Sequence, residues 1–373
     1  MKCIHCGSDT RGRDRTANGG RCSVCSHRFA FEPLKDPHQV TDGQFHAALQ
    51  RVSPKGGVSF TDRQLWYEFN RKWMRPSFWR APYGWISLGS GAAAVAAFAL
   101  SPLLFPLVIA GGVGTAALLN HRANQRSPLP ARPPKIPFDR FREHYLAVWA
   151  GVHGPVAGLV PAREAAALPG PREVAPDVAA FSFDRAVVTD RWEVAAMLVA
   201  NRFHFEHNCA VLSLDGFPEG ISGTVKEMLR RNPQLTVFAL HDASPDGCLL
   251  PLTLREADWF PDPSVRVVDL GLRPETARRL RLPVVHVPVR RLPPRLDEVL
   301  PPEDVEWLAA GNTVELSALR PAQIMSAAYE GIRRVGLPGD PGYADGGWGP
   351  GGIIWVGGMG GGGGDSAGTD GFG

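Results

Sequence analysis

Apolar positions recur with a helical period twice within the first eighty residues. Phe45, Leu49 and Val52 form one stripe, and Leu65, Trp66, Phe69 and Trp73 form another, which predicts two amphipathic helices. Each follows the same start signal, Thr41-Asp42-Gly43-Gln44 and Thr61-Asp62-Arg63-Gln64. In such a capping box the Thr hydroxyl accepts from the amide three residues on while the Gln reaches back. Ser53-Pro54-Lys55-Gly56-Gly57 supplies the turn between them. Residues 38–80 therefore read as a short helix-turn-helix-like unit.

The pattern then changes. Ala81 to Asn120 holds no charged side chain and is rich in Ala, Leu, Val and Gly, the pattern expected of membrane-spanning helices. A single helix of that length would be about 60 Å long, twice the hydrocarbon thickness. Ser101-Pro102 and Pro106 interrupt it, so a two-span hairpin is expected over 81–120. Basic residues flank both sides, which places both ends in the cytoplasm and predicts a multi-pass cell-membrane protein. Residues 121–178 are Pro- and Ala-rich and carry one amphipathic helix, Phe138 to Val152, with Phe141, Tyr145, Val148 and Trp149 on one side. They read as a linker with a docking helix.

From 179 to 335 apolar strands alternate with helical periods. The strands are 185–190, 209–214, 235–240 and 265–270, with helices expected at 192–203 and 223–231. Strand, helix, strand at this spacing predicts a parallel sheet covered by helices. The last 38 residues, 336–373, hold 18 of the 42 glycines. Such a low-complexity tail is expected to be disordered, its apolar segments being the place to look for protein partners.

Composition sharpens this picture in one respect. The 373 residues carry a net charge of only +3, but residues 1–80 hold 14 Lys+Arg against 7 Asp+Glu, a net of +7. The basic head points to a polyanionic partner, either nucleic acid or anionic headgroups. Its N-terminal residues, Met1-Lys2-Cys3-Ile4-His5-Cys6, do not read as a signal core. Six cysteines in this length exclude a disulfide-built scaffold.

Four of those cysteines are patterned. Cys3-x2-Cys6 and Cys22-x2-Cys25 are separated by fifteen residues, the spacing of a structural zinc site. Two knuckles supply four thiolates in a closed tetrahedral set, with no position left for catalysis. Residues 1–32, and Cys22-Ser23-Val24-Cys25-Ser26-His27-Arg28-Phe29 in particular, resemble the zinc ribbons. His5 and His27 read as bystanders, and Cys209 and Cys248 as small buried hydrophobes.

The C-terminal α/β part is similar to the Toprim domain, nearest to that of the topoisomerase VI A subunit and the related meiotic break-forming proteins. The resemblance rests on Leu214-Asp215-Gly216-Phe217-Pro218, Val237-Phe238-Ala239-Leu240-His241-Asp242-Ala243-Ser244-Pro245-Asp246-Gly247 and Val267-Val268-Asp269-Leu270-Gly271-Leu272-Arg273-Pro274. It implies carboxylates at strand ends that hold Mg2+ for phosphodiester chemistry, assigning Asp190, Glu193, Asp242 and Asp246 as Mg2+ candidates. The pattern is incomplete here. The first strand ends in Thr189-Asp190, with Glu193 one turn on, and the third gives Asp242-Ala243-Ser244. Phe60-Thr61-Asp62-Arg63-Gln64-Leu65-Trp66-Tyr67 resembles the segment carrying that family's nucleophilic tyrosine, which implies the role for Tyr67 with Arg63 as its cationic neighbour.

The expectation is thus a multidomain chain: zinc ribbon, helical unit, transmembrane hairpin, linker, Toprim-like α/β domain and Gly-rich tail. Its first functional reading is a membrane-tethered, non-catalytic protein that binds DNA, another polyanion or a protein partner. The alternatives are a metal-dependent DNA-cleaving enzyme using Tyr67 and Asp242, and a membrane scaffold.

Overall fold

The computed structural model describes residues 1–74, 133–161, 185–218, 223, 226–227, 235–256, 265–289 and 291–335. The chain opens with two knuckles, each closed by one antiparallel bridge, Lys2 opposite Asp9 and Arg21 opposite Arg28. Between them lies α1 (Gly12–Ala17). Both expected capping boxes form. Ahead of α2 (Asp42–Val52), Thr41 Oγ1 accepts from Gln44 N at 3.2 Å and Gln44 Oε1 from Thr41 N at 3.3 Å. The same pair of bonds, at 3.1 and 2.9 Å, joins Thr61 and Gln64 at the start of α3 (Asp62–Met74).

The expected docking helix, α4, starts as Phe138–Arg140, widens to a π-helical turn over Phe141–Leu146 and ends as Ala147–His153. Phe141, Tyr145 and Trp149 are buried on one side. Phe45 of α2 stacks on Phe141 and Trp149, with ring centroids 5.8 and 4.6 Å apart, so α2, α3 and α4 share one aromatic core. The start of this segment is fastened to α3. Trp66 Nε1 donates to Ile136 O at 2.7 Å, and Asn70 Oδ1 accepts from Ile136 N at 3.1 Å. Beyond α4 the backbone of Phe60 bridges to residues 158–160, with Phe60 N donating to Gly158 O and Val160 N to Phe60 O, both at 2.8 Å. Only glycine suits position 158: φ is +79°, and a Cβ would stand 2.9 Å from Val58 O.

The α/β part confirms the expected parallel sheet. Strands β1 (Arg185–Thr189), β2 (Ala210–Ser213), β3 (Thr236–Leu240) and β4 (Arg266–Asp269) lie in the order β2-β1-β3-β4. All three pairings are parallel. Of the helix expected at 192–203, α5 (Trp192–Ala200) forms, and the left-handed conformation of Arg202, φ 59°, starts a separate turn, α6 (Phe203–Glu206). The helix expected at 223–231 lies mostly outside the described residues. After β3 come α7 (Pro245–Cys248) and α8 (Leu250–Glu256). α9 (Pro274–Arg279), α10 (Leu296–Val299), α11 (Pro302–Ala309) and α12 (Pro321–Arg334) follow β4. A small antiparallel pair joins β5 (Val285–His286) to β6 (Asn312–Thr313). Cys209 and Cys248 are buried as expected.

The membrane expectation is corrected. No helix among the described residues is long and apolar enough to cross a membrane, which points away from the two-span hairpin and the multi-pass localisation. A charge-free run marks apolar composition, whereas crossing requires an unbroken apolar helix of about 20 residues. The longest described helical stretch, 138–153, reaches only about 24 Å and carries Asp139, Arg140, Arg142 and Glu143. Residues 81–120 themselves, most of 121–178 and the tail 336–373 lie outside the described residues.

The helical unit and the α/β part pack directly on each other. One continuous cluster of buried side chains runs from Phe31 to Ile332 and includes residues of α2, α3, α4, α5 and α12. A single side chain stitches the contact at one edge: Asn201 Oδ1 accepts from Ser59 N and its Nδ2 donates to Ser59 O, both at 2.8 Å. Replacing Asn201 with Ala leaves both backbone groups of Ser59 unpaired at a half-buried edge, so Asn201→Ala is expected to cost about 2 kcal/mol, read as a lower urea midpoint with unchanged slope.

Candidate functional site

Two clusters carry chemistry. In the first, the sulfurs of Cys3, Cys6, Cys22 and Cys25 all lie within 4.8 Å of one another. Cys3 and Cys25 Sγ are 3.6 Å apart, and Cys6 and Cys22 Sγ 3.7 Å apart. Zn–S bonds of about 2.3 Å at tetrahedral angles put sulfurs about 3.8 Å apart, so the set has the right size for one such ion. The Ser8 hydroxyl and the amides of Cys25 and Val24 pull the Cys22 thiol down to about 5. Although the His27 amide favours its thiolate, burial and the other three sulfurs push Cys25 up to about 12. Four thiolates this close repel one another unless a positive ion lies between them.

His5 and His27 stand outside this set. Their rings stack at 5.3 Å, and His27 stacks in turn on His153 of α4 at 5.2 Å. His153 Nε2 lies 3.3 Å from Asp42 Oδ2. Asp42, fully buried at the start of α2, accepts from the amides of Ala30 and Phe31 at 2.9 Å each, and Arg15 pairs with Glu32 in a two-pronged contact. The knuckle module is thereby seated on the helices.

The second cluster sits at the carboxyl ends of β1, β3 and β4, where a parallel sheet gathers polar loop residues. Asp190 follows β1 and Asp242 follows β3. The two meet, Asp190 Oδ2 accepting from Asp242 N at 2.9 Å. Gly247 is required beside them, since a Cβ there would stand 2.5 Å from Asp242 O and 2.9 Å from Asp190 Oδ2. Asp242 is already fully engaged: Oδ1 accepts from Leu316 N at 2.6 Å and Oδ2 from the Arg191 guanidinium. Burial and Asp190 push the Asp242 carboxyl up to about 7, and burial raises Asp190 as well. Both Asp242 oxygens accept, whereas Asp190 Oδ1 is buried without a hydrogen-bond partner.

The remaining sequence candidates are spread apart. Glu193, one turn into α5, is half-buried, and burial raises its carboxyl. Asp246 is exposed in the first turn of α7. Ser244, standing where a second carboxylate is expected, is the N-cap of that helix and accepts from Gly247 N at 3.0 Å. Among the described residues no third carboxylate joins Asp190 and Asp242 in a metal-sized group. Tyr67 does reach this region from α3, beside Glu315 and Asp242, but it is 1% exposed. Burial and those carboxylates hold its phenol well above the usual range, opposite to what an attacking phenolate needs. Arg63 is committed elsewhere, to Glu315 through bonds of 2.7 and 2.5 Å, with its guanidinium 4.3 Å from the Phe138 ring.

Three participants were not among the site residues expected from the sequence. Glu315 comes from the turn after β6 and Arg191 from the residue after Asp190. The third is the pair of His241 and Asp269. His241 Nδ1 faces the Asp242 carbonyl at 2.8 Å and Nε2 faces Asp269 Oδ1 at 3.1 Å. Asp269 also accepts from Arg273 and Gly271 N. Despite burial, His241 and Arg273 hold Asp269 at about 2, and with an acceptor oxygen facing each ring nitrogen the geometry suits an imidazolium at His241. Its pKa is raised although burial opposes the charge, because Asp269 faces it. Gly271 leaves the ring its space, a Cβ there falling 2.1 Å from it. Only an Asp at the end of β4 and a His at the end of β3 hinted at this pairing.

Compared with known proteins, the chain matches no family model, no curated protein and no solved structure.

Two predictions follow from these clusters. Metal analysis is expected to return one ion per chain, and Cys22→Ser or a strong chelator to release it and loosen residues 1–32, seen as faster amide exchange there. For the strand-end groups, the folded protein binds more protons than the unfolded chain in two windows. The raised Asp190–Asp242 pair makes stability fall between about pH 4 and 7, and the His241 contribution, complete below about 6.5, is lost as pH rises through its raised value. These groups should therefore contribute a fall in the urea midpoint from pH 5 to pH 9, superposed on the opposite-signed contribution of the depressed Cys22 thiol. Asp190→Asn is expected to remove the lower part of that slope and Asp269→Asn the upper part.

Proposed function

We propose that this protein is a zinc-held, non-catalytic binding protein whose basic head engages nucleic acid, with the Toprim-like α/β part serving as its structural base. The observation that carries this reading is the state of the strand-end carboxylates. Arg191 and Leu316 N occupy both oxygens of Asp242, and Arg63 occupies both oxygens of Glu315. A buried ion pair of this kind is costly to open, because separating it strands an unpaired charge. Carboxylates that hold arginines do not offer themselves to Mg2+.

The ribbon supports the nucleic-acid side. Lys2, Arg11, Arg13, Arg21 and Arg28 are exposed there. Arg21 and Arg28 stand directly opposite each other in the second knuckle's bridge. Like charges in that position destabilise a strand pair, and a phosphate between them relieves the repulsion. The second reading, a metal-dependent DNA-cleaving enzyme, draws on the convergence of Asp190, Asp242 and Tyr67, and is opposed by the burial of Tyr67.

One experiment separates them. With supercoiled plasmid and Mg2+ or Mn2+, the full chain is expected to bind without nicking, and nicking that disappears in Asp242→Ala would sink the non-catalytic reading. Binding should weaken with salt, and the Arg21→Gln/Arg28→Gln variant should lower the log–log salt slope by about 2. A slope unaltered by that variant moves the partner from nucleic acid to protein.

A further inference from the structure

A third charged cluster lies on the helical unit, apart from the residues used above. Glu68 of α3 is 1% exposed, yet three guanidiniums converge on it. Arg51 Nε from the last turn of α2 is 2.8 Å from Oε1, and Arg71 Nε, one turn further along α3, is 3.1 Å from Oε2. Arg320 reaches both oxygens, at 3.1 and 3.2 Å. These arginines hold the Glu68 carboxyl below the usual range although burial opposes it.

One guanidinium suffices to neutralise a buried carboxylate. Arg51 and Arg320 alone, whose ion pairs among the described residues are both with Glu68, exceed it by about one positive charge in a part-buried place where screening is weak. Their donors divide into inward and outward sets. Arg51 uses Nε on the carboxylate and a terminal nitrogen on Glu68 O, and Arg320 uses Nε and one terminal nitrogen on the carboxylate. The other terminal nitrogen of each has no partner among the described residues. Arg51 is 46% exposed and Arg320 36% exposed, so these donors are open to solvent. Arg71 is turned inward, to Ala318 O at 3.1 Å. Arg320 is also the residue immediately before α12, whose N-terminal dipole adds to the same positive field.

We propose that Arg51 and Arg320, held in place by Glu68 and backed by Arg71, form a binding site for a phosphate group. Glu68 acts as the internal strut: by fixing one edge of each guanidinium it leaves the other edge pre-oriented, so little side-chain entropy is lost when an anion arrives. Planar, paired donors match phosphate oxygens better than a point charge does. The phosphate has two sources, a free phosphate or phosphate monoester and the backbone of a nucleic acid. The backbone source rests on the proposed function, whereas the site itself does not.

The test uses the full chain at constant ionic strength. Inorganic phosphate is titrated calorimetrically, and a short fluorescent single-stranded DNA is titrated by anisotropy. In Arg51→Gln, which leaves two arginines on Glu68, affinity for at least one of the two probes should drop about tenfold or more, the worth of one charge-assisted hydrogen bond. Arg51→Lys keeps the charge and the fold but loses the planar edge, and should fall between the two. A loss confined to DNA identifies a phosphodiester, and a loss for inorganic phosphate identifies a small phosphate ligand. Failure of the ribbon reading shows separately, as DNA affinity insensitive to Arg21→Gln/Arg28→Gln. The proposal is overturned if Arg51→Gln, Arg51→Lys and wild type bind both probes equally, or if phosphate is no better than chloride; the three arginines then serve Glu68 alone.

Discussion

A carboxylate taken out of water must find a cation, and the arrangement of this protein follows from how that demand is met. Glu68, Asp242 and Glu315 are all buried, and their arginine partners come repeatedly from other elements. Glu68 of α3 draws Arg51 from α2 and Arg320 from the start of α12, while Glu315 draws Arg63 from α3. Breaking such a pair costs more than forming it gains. The helical unit and the sheet are thus joined by contacts that tolerate little displacement, and the aromatic core between them only has to fill the space so defined.

The same demand explains what fills the sheet's carboxyl edge. Open parallel sheets collect polar residues there, and a metal enzyme keeps those groups unpaired until the ion binds. Here the edge is filled by protein cations, Arg191, Arg273 and the His241 imidazolium. Asp190 is the exception, its carboxyl raised by burial although His241 and Arg191 act against the rise. The other chemistry-bearing set is the four sulfurs of the N-terminal module, about thirty residues that are too few to bury an adequate core and that rest on Asp42 beneath them.

Much of this was legible in the residues. The two Thr-x-x-Gln boxes, the 3.6-residue stripes and the four apolar strands are local patterns, and each appears where expected. The cysteine spacing was equally local. What escaped was long-range or ambiguous. Nothing near Arg63 indicates Glu315, and nothing near Glu68 indicates Arg320, because ion-pair partners carry no periodicity. Ser244 reads as a lost metal ligand in a motif but folds as a helix cap, since a hydroxyl before Pro245 is well placed to accept from Gly247 N. The charge-free run 81–120 is a different case: it lies outside the described residues, and lack of charge by itself specifies apolar composition, not an unbroken membrane-spanning helix.

The contact between α3 and residues 315–320 also has a temporal side. Arg63 and Glu315 are 252 positions apart, as are Glu68 and Arg320. Closing loops of that length delays contact formation, because the chain's entropy must be overcome before the contact yields anything. During synthesis, α3 emerges with Glu68 and Tyr67 facing a surface that does not yet exist, and about 250 residues must follow before Arg320 arrives. The apolar positions of α3 are met earlier, Phe69 by Phe45 and Phe141 and Trp66 by Ile136, so it is the Tyr67–Glu68 edge alone that waits uncovered through that interval.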